Sequence, residues 1–217
     1  MQSEPVTFHE SHSFALRLWH WLTFITITAS LVLVLMGSTF FRMKDNISVV
    51  QAQVERKGGT VTVDQARAVA HEYSDKMWMA HKYVGYGLCF LLFCRFIIEV
   101  TQPGKEKLQS KIRRALALNA NTLVDKNDKM HYLWVKRGYL IFYLLFFIMA
   151  LTGLGLAYEE VPMLEPMHDS IEDVHKFTQY LIYTFIVVHL VGVIRADMGK
   201  YNGLVSSMIH GKNPSQS

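Results

Sequence analysis

Four apolar stretches, each long enough to cross a bilayer as a helix, constrain this chain more than any other feature. A hydrocarbon core about 30 Å thick needs about 20 helical residues at about 1.5 Å each. The stretches run over residues 16–41, 78–100, 138–158 and 174–194. Lys82 and Arg95 interrupt the second near its two ends, and the first turns of the fourth are more polar than the rest. The expected fold is all-α, an integral membrane four-helix bundle that makes residues 1–217 a single membrane domain.

Composition narrows the chemistry. Of 217 residues, 51% are hydrophobic, as a small membrane bundle requires. The two cysteines, Cys89 and Cys94, lie inside an apolar run, so a secreted disulfide framework is not indicated. No CxxC or CxxCH occurs, which argues against zinc, iron–sulfur ligation and covalent c-type haem. The N-terminus does not read as a signal peptide. His9, Glu10 and His12 precede the first apolar run, which is too long for such a segment and lacks a small-residue cleavage site.

The connections set the topology. Residues 43–77 are polar and nearly charge-balanced, and Thr62–Lys76 reads as a helix capped by Thr62 that leads into the second span. Residues 101–137 are basic, whereas 159–173 carry six carboxylates and no Lys or Arg. The positive-inside rule puts the basic connection and both termini in the cytoplasm, with 43–77 and the acidic connection outside. Trp19, Trp21, Trp134 and Tyr201 then belong to the inner interface, and Trp78, Tyr83 and Tyr158 to the outer. The net charge of +4 is explained by this topology, with no nucleic-acid partner.

Ionisable residues inside membrane helices are costly and usually functional. Of ten histidines, six (His9, His12, His71, His131, His168 and His210) fall in connections or tails. His20, His81, His175 and His189 lie in spans, and their depths match in pairs. His20 is near the inner end of the first helix and His81 near the outer end of the second. His175 and His189 are fourteen residues apart on the fourth. That spacing rises about 21 Å and turns the azimuth by only about 40°, so both face one seam at two depths. His81 can meet His175 at the outer level, and His20 can meet His189 at the inner one. Two neutral imidazoles per level suit axial ligation of a low-spin haem, whereas zinc wants three or four ligands at one level. Arg95 lies fourteen residues after His81, at the inner depth, where it could pair with a haem propionate. Gly85 and Gly192 lie close to His81 and His189, and Gly37, Gly153 and Gly155 lie near outer helix ends, where small residues let helices approach.

These residues resemble the di-haem b-type cytochrome subunits of membrane-bound nickel–iron hydrogenases, within the wider cytochrome b561-like and formate dehydrogenase gamma group. The resemblance covers all four helices. It is carried by RLWHWLTF (Arg17–Phe24), HKYVGYGLCFLLFCRF (His81–Phe96), HKFTQYLIYTFIVVHLVGVIRAD (His175–Asp197) and the tail VSSMIHGK (Val205–Lys212). The polar segment 43–77 is longer than the family pattern leads one to expect. The family pattern puts one haem ligand on each of the first two helices and two on the fourth, matching His20, His81, His175 and His189.

The resemblance implies an electron-transfer subunit in a bacterial inner membrane. Its two b haems would take electrons from hydrogenase small and large subunits on the external face and pass them to menaquinone or ubiquinone. Substrate chemistry would then lie in the partner. Candidate quinone residues near the inner face are His12, Arg17, Arg137 and Arg195, with His131, Tyr139 and Asp197 nearby; each could equally be an interfacial anchor. An alternative is a stand-alone b561-type quinol oxidoreductase with a small periplasmic acceptor such as superoxide. A third reading is a membrane anchor with vestigial haem sites.

Overall fold

The computed structural model describes residues 13–104, 107–117, 123–199 and 203–211. They form seven α-helices and one 3-10 turn, and no strand occurs among them. Four helices are long and apolar enough to cross a membrane: α1 (Phe14–Thr39), α3 (Val63–Thr101), α5 (Leu123–Ala157) and α6 (His168–Asp197). In the most apolar window of each, only 11% of residues are buried within the chain. Phe90, Phe93, Phe96, Phe147 and Leu151 are all exposed. Such continuous apolar surface is foreign to a monomer in water and is what lipid covers. The all-α, four-span expectation is therefore met.

The helices extend beyond the apolar stretches. α3 is one helix of 39 residues, about 58 Å long, nearly twice the bilayer core. Its start is a capping box: Thr62 Oγ1 accepts from the Gln65 N–H at 3.2 Å, and Gln65 Oε1 accepts from the Thr62 N–H at 2.9 Å. The polar stretch after Thr62 thus runs without a break into the second span. α2 (Met43–Arg56) is a separate helix that the polarity of 43–77 had hidden. It ends at Gly58, whose φ of 77° is the left-handed conformation that closes a helix. The basic stretch 101–137 likewise holds α4 (Leu108–Ala117) and the polar first turns of α5. The acidic stretch holds a 3-10 turn, Glu165–Met167, and its last six residues already belong to α6, which starts at His168 and not at the expected 174.

The described chain divides into two compact units, one of Leu22–Phe90 and the other of the remaining described residues. In the first, α1 and α3 come close at Gly37, where a methyl group would overlap the Met77 side chain, and at Gly87 beside Thr26. In the second, α5 packs along α6. α4 lays Ala115 against Tyr132 and Leu133 of α5. Glu99 Oε1 accepts from the Leu108 N–H at 2.8 Å at the start of α4, and Lys129 Nζ donates to Leu116 O at 3.1 Å at its end. The short α7 (Leu204–His210) is held at both ends. Asp197 Oδ1 accepts from the Gly203 and Val205 N–H groups, while Arg17 and Trp21 donate to Ile209 O and Met208 O.

Candidate haem site

His20 is placed by the two tryptophans that flank it. Trp19 Nε1 donates to Leu91 O of α3 at 2.7 Å, and Trp21 Nε1 donates to Met208 O of α7 at 3.2 Å. These bonds fix the rotation of α1, and the His20 ring comes to face His189 of α6. The ring centroids are 6.4 Å apart and the planes are inclined by 63°. Trp21 meets His20 edge-on at 5.7 Å. Behind His189 the Phe185 ring lies nearly parallel at 5.9 Å, and Phe185 stacks on Phe142 of α5 at 5.0 Å. Among the described residues, neither His20 nor His189 makes a side-chain hydrogen bond. Their surroundings are aromatic.

His175 is seated differently. Its Nδ1 lies 2.9 Å from Thr152 Oγ1 of α5. Beside Thr152, a methyl group on Gly153 would come within 3.3 Å of the His175 Cε1. His81 belongs to the other unit. There its Nδ1 lies 3.4 Å from Ser30 Oγ of α1, and Trp78 meets its ring edge-on at 5.7 Å.

Arg95 is only 8% exposed. Its Nε donates to Tyr143 OH at 2.8 Å and its Nη2 to Glu99 Oε2 at 2.8 Å. The guanidinium lies over the Tyr143 ring at 4.9 Å and beside Trp19 at 5.8 Å. Its Nη1 is buried without a partner. An arginine this deep is thus held first by its own chain, with one nitrogen left over.

Of the quinone candidates, His12 lies outside the described residues. Arg17 Nη1 donates to Ile209 O at 3.1 Å, and its guanidinium packs where a Gly211 side chain would stand. Arg137 is exposed on α5 over the Trp134 ring at 5.8 Å, and Arg195 is exposed in the last turn of α6. Asp197 is occupied in capping α7.

Sequence reasoning overlooked the hydroxyls of Thr152 and Ser30, the Phe185 stack, and Glu99 and Tyr143 around Arg95. Only Glu99 had a sequence signal, standing four residues after Arg95 on the same helix face.

Four apolar helices with imidazoles set inside them, two of the rings 6.4 Å apart, suit a polytopic membrane protein of the b-type cytochrome class. The family model of prokaryotic cytochrome b561 matches residues 11–211, and the chain belongs to that family. It is a transmembrane haem b electron-transfer protein of a bacterial membrane. Comparison with curated proteins and with solved structures returned no match.

Proposed function

We propose that this chain is the di-haem subunit that carries electrons from a hydrogenase on the outer face of the bacterial inner membrane to membrane quinone. One haem b would be held by His20 and His189, the other by His81 and His175. Bound there, haem b supplies reversible one-electron transfer.

The observation that carries this reading is the approach of His20 to His189. Two imidazoles bonded to one metal at about 2 Å each have ring centroids roughly 6 Å apart. The observed 6.4 Å fits. A methyl group built on Gly85, one turn from His81, or on Gly192, three residues from His189, meets no described atom within 4 Å. Close helix packing is therefore not what calls for glycine at these two positions, and a flat macrocycle edge is a sufficient reason. The spare Nη1 of Arg95 suits a propionate, a charge-assisted bond that would complete the guanidinium's partners.

The chain's own work is placement. Trp19 and Trp21 hold His20, α5 holds His175, and the apolar helix faces keep water from the imidazoles. The charge distribution supports cytoplasmic termini, so quinone would be reduced near the end of the bundle that carries Arg17. The hydrogenase partner rests on the resemblance of the helices and of the tail VSSMIHGK.

A reduced-minus-oxidised spectrum with a haem-to-protein ratio tests the cofactor: about two b haems per chain are expected, and one or none would refute the di-haem assignment. Hydrogen-driven reduction of these haems in native membranes tests the partner. Reduction by quinol but never by hydrogen, with no hydrogenase co-purifying, would favour the stand-alone oxidoreductase instead.

A further inference from the structure

The hydroxyl of Thr152 has one proton to give. It lies 2.8 Å from the carbonyl of Ile148, one turn back on α5, and 3.2 Å from that of Met149. A threonine inside a helix readily donates to such a carbonyl, and here two of them lie within reach of the one hydroxyl. With its proton committed, Thr152 Oγ1 faces His175 Nδ1 at 2.9 Å as an acceptor. The hydrogen on Nδ1 then belongs to the imidazole, and the lone pair belongs to Nε2. Gly153 adds a steric element. A Cβ there would stand 3.3 Å from His175 Cε1, closer than an ordinary van der Waals contact, so glycine lets the ring lie against α5.

We propose that Thr152 and Gly153 form the seat of His175: the threonine selects the Nε2-ligating tautomer and strengthens it as a donor, and the glycine sets the ring's position. This rests on the reading of His175 as a haem ligand. Thr152 is a positioning residue that acts only through His175. A hydrogen bond from Nδ1–H to an acceptor makes the opposite nitrogen more basic and favours ferric over ferrous iron. The chain builds this at one end of α6 only, because at the other end His189 is stacked on Phe185 and has no such partner among the described residues.

The test uses the full-length haem-loaded protein. Thr152→Val keeps the shape and deletes the hydroxyl, Thr152→Ser keeps the hydroxyl, and His175→Ala identifies the haem concerned. Each haem's midpoint is measured by spectroelectrochemical titration alongside haem content. In Thr152→Val the haem lost in His175→Ala is expected to become easier to reduce by about threefold, roughly 30 mV for one electron. The other haem should be unmoved, and Thr152→Ser should behave as the parent. If Thr152→Val binds too little haem to titrate, full loading of Thr152→Ser supports the proposal, and equal loss in both overturns it. If His175→Ala keeps both haems, the ligand reading itself fails. If His175→Ala loses one haem while Thr152→Val leaves that haem's midpoint unchanged, only the role of Thr152 fails.

Discussion

The two ends of α6 carry the same residue on the same helical face and seat it by different physics. At the His175 end a hydroxyl touches the ring and a glycine makes room for it. At the His189 end a second imidazole stands opposite and a phenylalanine lies flat behind. A hydrogen bond specifies which nitrogen does what and is lost with one atom. A stack fixes the ring plane without distinguishing the nitrogens, and it degrades gradually. The first end should therefore be sensitive to atom-for-atom replacement and the second tolerant of it.

The largest effect expected at the stacked end is loss of a ligand. His20→Ala and His189→Ala should each reduce haem from about two per chain to about one. The double variant should lose no more than either alone, because residues sharing one site are not additive. A double variant without any haem, each single keeping one, would separate the two histidines into different sites.

Arg95→Leu comes next. It removes the cation that Glu99 and Tyr143 were arranged around, and losing charge-assisted hydrogen bonds at this half-buried pair costs about 2 kcal/mol. Thermal unfolding in detergent should show it clearly. An unchanged midpoint would mean that Glu99, about one-third exposed, finds water at no cost.

Phe185→Leu sharpens the contrast directly. It should cost about 1 kcal/mol of stability from the lost ring contacts while leaving haem content at parent level. A loss of haem as complete as in His189→Ala would show that the stack is as indispensable as the ligand, and the proposed tolerance of that end would be wrong.

The smallest effect belongs to Arg17→Ala. Freeing the Ile209 carbonyl should loosen the last turn of α7 by about 0.5 kcal/mol. Hydrogen exchange over residues 203–211 should quicken with the haems untouched. Slowed quinone reduction at unchanged exchange would instead assign Arg17 to the quinone.

What could be read without coordinates was what repeats along one helix. Apolar length marked the four spans. The fourteen-residue spacing put His175 and His189 on one face, and Thr62 announced a helix start that the hydrogen bonds confirm. Each of these is a local property of rise, turn and side-chain chemistry. The extra length of α5 was harder to see, because polar helical turns outside the bilayer look like loops to a hydropathy reading. α2, with no apolar run of its own, was invisible for the same reason.

Tertiary structure alone decided which side chains meet across helices. That Thr152 faces His175, that Phe185 stacks between Phe142 and His189, and that Arg17 reaches the end of α7 depend on how two helices are rotated and offset. A single helix's sequence encodes its own faces but not the angle at which a neighbour presents its faces. The four histidines were legible for the first reason, and what surrounds each of them only for the second.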